Sequence, residues 1–400
     1  MHDTQIAIVG AGAAGLSLAY HLTLGAPGRR PPSVVLVDAP EGPLRPAERT
    51  WCFWEKPDGE FDEAVSAVWD TLRVQGPRGF GVAAPVAPLR YKMLRSGDFE
   101  SFVGHRLAAE PKVTRLEAVV HDVRELGRGA EIRALAPDGR PRTLRARWVF
   151  DSRPPRVLPP SRTTLLQHFR GWFVTTERPA FDPRVADLMD FRTPQPAQGL
   201  SFAYVLPSSA HQALVEYTEF SPRTLDDAGY SDALRRYLTH ELALEHFKVN
   251  RVENGVIPMT DARFPRRVSP SVFRIGTAGG ATRPSTGYTF AAVQRQARAI
   301  ATAVHQGRTP EPPPVHSARS LAMDAVLLRA LHTGRVSGSD FFTGLFRQVP
   351  MERLLRFLDG RTSRREDLLI GLRTPVGPML RTAAELPWLP RRRVNLKEMR

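Results

Sequence analysis

Three groups of residues in this chain can do chemistry. In "IAIVGAGAAGLSLAY", residues 6–20, Gly10, Gly12 and Gly15 fit G-x-G-x-x-G. Such glycines allow a tight turn, a close approach of backbone to a pyrophosphate, and packing of helix on strand. A second glycine series, Gly276, Gly279, Gly280 and Gly287, stands in "RIGTAGGATRPSTGYTFAAV". The third group is a glutamate in "LVEYTEF". In a strand, Glu216 shares a face with Leu214, Thr218 and Phe220, while Glu219 shares the other with Val215 and Tyr217. A carboxyl among apolar neighbours keeps its proton near neutrality and can act as an acid. A solvent-facing glutamate in a hairpin fits the same residues.

These groups need elements to hold them. Ile6, Ile8 and Val9 read as a buried strand, and Leu16, Leu18, Ala19 and Leu22 as the apolar face of a helix. Backbone N–H groups at that helix start face phosphate. Val34 to Val37 form a second strand ending in Asp38, whose carboxylate can accept from a ribose diol. The loop "GAPGRRPP" absorbs the extra length between them. "GLSFAYVLPSSAHQALVEYTEF" reads as a hairpin around "PSSAH". Helical and strand-like segments are expected to alternate through about residue 150. After residue 318 short amphipathic helices divided by Gly and Pro take over. They can cap the core or lie at a lipid interface.

The chain has 400 residues, 42% of them hydrophobic, enough for one large or two moderate domains. Its single cysteine, Cys52, excludes an internal disulfide and a paired-thiol metal site; no metal is expected. No apolar run is long enough to span a bilayer. A strand beginning almost at the N-terminus argues against a signal peptide. The net charge of +15 rests on five lysines and 51 arginines. Coding bias toward arginine or attraction to anionic lipid accounts for it. No nucleic-acid motif accompanies it.

Two glycine-rich helix starts at opposite ends of the chain suit an extended dinucleotide, FAD. Gly10, Gly12, Ala13, Ala14, Gly15 and Asp38 are expected at the adenosine–pyrophosphate end. Gly276, Gly279, Gly280, Thr286, Gly287 and Tyr288 are expected at the flavin end, where a positive helix terminus favours the reduced anion. Arg49 and Asp151 are further cofactor candidates. Asp151 closes the strand in "RARWVFDSR".

Nine blocks carry a narrower resemblance. They are "RTWCFW", "RYKMLRSGDFESFV", "FDSR", "LLQHFRGWFV", "DLMDFRTPQ", "SFAYVLPSS", "LVEYTEFS", "NGVIPMTD" and "GGATRPSTGYTF". In this order the chain resembles the soluble, FAD-dependent lycopene cyclase family. The resemblance implies an α/β fold: a Rossmann-like FAD-binding domain of the glutathione reductase and hydroxylase superfamily, an antiparallel β substrate domain, and a C-terminal helical region. Residues 1–155 with 255–310, 156–254, and 311–400 are the expected divisions.

The implied reaction closes the linear ends of lycopene to β-ionone rings. It has no net redox change, yet needs reduced FAD, with NAD(P)H as electron source. A terminal alkene carbon takes a proton, an internal double bond attacks the cation, and a proton leaves. The match of "LVEYT" to the family's acidic motif makes Glu216 the catalytic acid, or the group that stabilises a cation; reduced flavin is the other candidate donor. Trp51, Phe53, Trp54, Phe169, Trp172, Phe202 and Tyr204 offer aromatic surface for a polyene. His168 and His211 fit a structural role first and proton movement second. The expected protein is cytoplasmic and peripheral on the inner face of the membrane. A cyclase of another polyprenyl chain, a FAD monooxygenase or prenyl reductase, and a carotenoid carrier are the alternatives. Two departures stand out: Gly276-Thr277 replaces the Gly-Asp of many flavoproteins, and "VEYT" has Tyr217 where an acid is commoner.

Overall fold

The computed structural model describes residues 2–25, 31–42, 44–45 and 47–399. Most of the expected loop at 25–32 therefore lies outside the described residues.

An eight-stranded sheet forms one body. Its central strand, Thr4–Val9, pairs in parallel with Val34–Asp38 on one side and Pro141–Asp151 on the other. Val113–Glu117 and Val272–Arg274 extend the parallel set outward. Ile6 and Ile8 are fully buried, as a strand covered on both faces requires. The carboxyl ends of these strands converge on the glycine turn. Gly10 N donates to Val37 O at 2.7 Å, Ser152 N to Val9 O at 3.0 Å and Ile275 N to Asp151 O at 3.1 Å.

The second sheet has seven strands, in the order Lys248–Thr260, Thr164–Thr175, Gln212–Ser221, Leu200–Pro207, Val185–Asp190, Thr71–Gln75 and Gly81–Pro85. The expected hairpin is present: Leu200–Pro207 and Gln212–Ser221 pair antiparallel. Residues 71–75 and 81–85 join this sheet although the expected division groups them with 1–155, so sheet and sequence boundaries part there. The expected alternation through residue 150 is also corrected. Only two α-helices, Ala13–Thr23 and Ser96–Ala108, interrupt the described strands there.

A three-stranded sheet links the two bodies. Its strands Thr50–Glu55 and Arg90–Arg95 come from "RTWCFW" and "RYKMLR", paired as Thr50↔Arg95, Cys52↔Met93 and Trp54↔Tyr91. Alternation turns Trp51 and Phe53 toward Phe99 and Phe290 of the first body. It turns Trp54 toward Tyr91 and Tyr288.

Five helices between Ala318 and Glu385 cover one face of the second sheet. Leu328, Leu331, Phe342, Leu345 and Leu355 join Phe191, Leu200, Phe202, Leu214 and Phe220 in one buried cluster. The opposite face packs Trp172, Val215 and Tyr217 under Tyr230, Leu234 and Tyr237. Not all of the C-terminus is helical: Arg392–Asn395 pairs antiparallel with Val157–Ser161.

Candidate active site

The first glycine turn is shaped by what its residues cannot carry. Gly10 has φ +94°, and a Cβ on Gly15 would stand 1.9 Å from Gly10 O. Gly12 differs, because a Cβ there would meet no protein atom within 4 Å. It caps the helix Ala13–Thr23 without a side-chain hydrogen bond, so no cap side chain covers the first N–H groups. Ala13 O is turned inward to Ser17 Oγ at 2.5 Å. Asp38 Oδ1 accepts from Ala11 N at 3.0 Å, tying the second strand to the turn.

The second loop reaches the first. A Cβ on Gly276, at φ +63°, would stand 2.8 Å from Ala14 Cβ. Gly279 approaches Arg274 O, and Gly280 takes φ +76°. Where Gly-Asp is commoner, Thr277 shares a hydroxyl contact with Thr282 at 2.9 Å, and Thr289 donates to Thr282 at 3.0 Å. Thr286 Oγ1 and Gln167 Oε1 are buried without a hydrogen-bond partner. Gln167 Oε1 would be 2.1 Å from a Cβ on Gly287. Open space over a helix start, two glycine loops in contact and orphaned polar atoms along the path fit an extended dinucleotide.

The loop is held from the helical region. Arg283 and Asp324 form a fully buried ion pair at 2.8 Å, and Ser285 donates to Asp324 at 2.7 Å. His316 Nε2 lies 3.0 Å from Ala281 O.

Two other candidates are engaged with protein. Asp151 accepts from Arg153 Nε at 2.9 Å and Nη2 at 2.7 Å. Arg49 exchanges backbone contacts with Ser96: its N–H donates to Ser96 Oγ at 2.9 Å, and its carbonyl accepts from Ser96 N at 2.7 Å.

Glu216 is buried, 8% exposed, on the sheet face that the C-terminal helices cover. Thr218 Oγ1 donates to its Oε1 at 2.8 Å. Burial, and then the charge of Glu253, push its carboxyl up to about 8. Glu253, 5% exposed, is a second buried acid that the motif reading passed over. Thr50 Oγ1, from the "RTWCFW" strand, donates to its Oε2 at 2.8 Å. Tyr288 belongs with these acids. Its hydroxyl is 3.4 Å from that of Tyr91 and bonds to Tyr204, and burial pushes it up to about 12. Burial also raises the Cys52 thiol beside Tyr91.

The aromatic candidates divide. Tyr204 is registered against Glu216, and Phe169 and Phe202 against Thr218, which places all three on the acid face with Trp54 close by at Tyr288. Trp51 and Phe53 face Phe290, and Trp172 lies on the other side of the sheet. His168 is also across the sheet, wedged between Tyr230 OH at 2.7 Å and Ser221 Oγ at 2.8 Å. Burial pushes it down to about 4, so it is a neutral strut. His211 Nδ1 contacts Thr176 O at 3.1 Å, where the strands Thr164–Thr175 and Gln212–Ser221 meet the hairpin turn. A groove of about 890 Å³ runs past Trp172 and Val252, away from the acids.

The fold defines the class: a Rossmann-like α/β protein whose second sheet is antiparallel except for the parallel pairing of Val185–Asp190 with Thr71–Gln75, with a helical C-terminal region. Flavoprotein structures share it. A flavoprotein/dehydrogenase from Cytophaga hutchinsonii superposes with TM-score 0.66 at 12% identity, covering 95% of this chain and 98% of its own. The p-nitrophenol 4-monooxygenase of Pseudomonas putida gives 0.59 at 14%, over 96% and 98%. The chain itself belongs to the lycopene cyclase family, whose model, "Lycopene cyclase protein", matches residues 5–384. It is 33% identical over 129 residues to the lycopene beta-cyclase of Pseudescherichia vulneris. That match spans 31% of this chain and about a third, 32%, of the relative.

Proposed function

We propose that this chain is a FAD-dependent lycopene cyclase in which Glu216 starts ring closure. The observation that carries the reading is a carboxyl buried among apolar and aromatic side chains with its ionisation pushed up to about 8. An alkene is a weak base, so the acid must be protonated, dry and close to the carbon it serves. Glu216 meets the first two conditions. Its O–H breaks as a C–H forms on the terminal alkene carbon, and the alkene π pair becomes the new bond. Tyr204, Phe202 and Trp54 present π density to the tertiary cation. A ring proton then leaves, and the product has the mass of the substrate.

Reduced FAD, supplied with electrons by NAD(P)H, would add negative charge next to the cation. The residues proposed to hold it are Gly10, Gly12, Ala13, Ala14, Gly15 and Asp38 at one end. Gly276, Gly279, Gly280, Thr286 and Gly287 serve the other, with Arg49 and Asp151 near the strand ends. Tyr288 we assign to the wall between cofactor and acid.

A forty-carbon polyene is confined to lipid, so the enzyme must load from a bilayer. No helix among the described residues is long and apolar enough to cross one. The outer face of the last helices instead exposes Leu368, Leu369, Leu372, Leu380 and Trp388, the last 87% exposed. Exposed Arg364, Arg365, Arg373 and Arg381 accompany them. This arrangement suits an anionic headgroup layer, with apolar side chains below it.

Anaerobic incubation with FAD, dithionite and lycopene tests the reading. Unchanged product mass with a new absorption spectrum and retention time is expected. A gain of oxygen or hydrogen would indicate a monooxygenase or a reductase, and recovered lycopene a carrier.

A further inference from the structure

Glu216 and Glu253 are both registered against the same residue, Gly171. The strand Thr164–Thr175 runs between Gln212–Ser221 and Lys248–Thr260, with Gly171↔Glu216 on one side and Gly171↔Glu253 on the other. Residues opposed in an antiparallel pair share a sheet face, so the two acids and the glycine stand in one row. Strand spacing puts the outer α-carbons roughly 10 Å apart. Gly171 puts no side chain of its own between them, and Leu214 Cδ1 fills part of that place, 2.7 Å from where a Cβ would stand. A Cβ there would lie 3.2 Å from Glu253 Cγ and 3.6 Å from Glu216 Cβ.

The two acids have unlike surroundings. Burial pushes the Glu253 carboxyl up, but unlike Glu216 it has cations to oppose that: Thr50 donates to it, the guanidinium groups of Arg251 and Arg95 favour its charged form, and only Glu48 adds to the burial. Glu216 faces Thr218, Cys52, Tyr204, Tyr288 and Glu253 itself. No cation stands among these. Two carboxylates that share a site do not both ionise readily, and unlike surroundings decide which one keeps the proton.

We propose that Glu253 is the ionised partner of Glu216: it keeps the shared proton on Glu216 and places a fixed negative charge beside the cation formed when that proton is given up. Its second role rests on the cyclase reading; its first does not. In the reaction the Glu216 O–H bond breaks, a substrate C–H bond forms, and the pair becomes doubly negative beside one positive carbon. The proton lost on forming the ring alkene returns to the pair, so no co-reactant is consumed. In its first role Glu253 is a positioning residue, because there it acts through the charge state of Glu216.

Infrared titration of the FAD-loaded protein reads the protonated carboxyl band without substrate, and Glu216→Gln assigns it. The wild-type band is expected to disappear near pH 8. Glu253→Gln should lower that midpoint by at least ~1 pH unit, a tenfold change in proton affinity, and move the basic limb of the cyclisation profile with it. Glu253→Asp, which keeps the charge, should hold the midpoint close to wild type. Thr50→Val leaves both acids but removes the hydroxyl from Glu253, so a second protonated band should persist to higher pH; this serves if Glu253→Gln does not fold. An unmoved midpoint in Glu253→Gln, or a wild-type band that disappears in Glu253→Gln and survives Glu216→Gln, overturns the proposal. A lowered midpoint in a protein that never converts lycopene would leave the pair standing and remove the cyclase. Normal cyclisation with no shift would do the reverse.

Discussion

Ala14 and Gly276 meet: a Cβ added to Gly276 would stand 2.8 Å from that of Ala14. The turn that opens the chain and the loop that precedes the helix Phe290–His305 thus form one wall. Every side chain added along that wall acts either on the protein or on the space a dinucleotide needs.

Gly12 and Gly15 separate these two effects. Gly12→Val enters open space, so the fold should survive while FAD retention is lost. Gly15→Val runs into Gly10 O, which a Cβ would approach to 1.9 Å, and should fail to fold. Flavin absorbance of purified protein, beside its melting temperature, distinguishes them. Wild-type FAD affinity in Gly12→Val would move the cofactor elsewhere.

Replacing Glu216 by Gln should lower cyclisation by ~10²–10⁴-fold, the range for a lost general acid, with FAD retained. Glu219→Gln is the comparison across the sheet, though not a silent one. Glu219 is buried and accepts from Tyr217 OH at 3.0 Å. It should melt earlier yet keep its turnover per folded molecule. Equal loss of turnover in both variants would implicate the strand and not the carboxyl.

Stability should carry the signature of Glu216 as well. An unfolded glutamate ionises near 4.5, whereas this one is pushed up to about 8. Between those values the native state holds a proton that the unfolded chain has released, so stability falls as pH rises through the window. Glu216→Gln removes that slope. Its melting temperature relative to wild type should climb from pH 4.5 toward pH 8. A wild-type advantage at pH 8 would mean an ionised, stabilised carboxyl.

Asp324→Ala leaves the Arg283 guanidinium buried without its partner, at a cost of about 3–5 kcal/mol. Because Arg283 lies inside the second glycine loop, FAD should dissociate faster from the folded fraction. Stopped-flow flavin release, measured below the melting transition, tests this. An unchanged release rate would confine the pair to stability.

Flotation with anionic liposomes tests the outer face of the last helices. Replacing Leu372, Leu380 and Trp388 together by Ser should abolish flotation and leave melting unchanged, since all three are exposed. Persistent flotation would place the lipid contact elsewhere.

Local pattern was enough for the glycine turn, the strand ending in Asp38, the hairpin and the face that Glu216 takes. Each is set by residues a few positions apart, through a steric limit at glycine or the two-residue period of a strand. The nine blocks carried the family for the same reason, as short runs in order. What they could not carry was adjacency. The block "NGVIPMTD" begins one residue past Glu253, and nothing local in "NRVEN" distinguishes that glutamate from a solvated one. It becomes a partner of Glu216 only because Thr164–Thr175 lies between their strands with a glycine at the shared height. Tyr288 likewise sits in a cofactor loop by sequence and in the acid's wall by packing. Strand order and register arise from long-range burial, where the face that excludes water is chosen by the whole sheet and the helices over it. The row Glu216–Gly171–Glu253 is therefore a property of the tertiary structure alone.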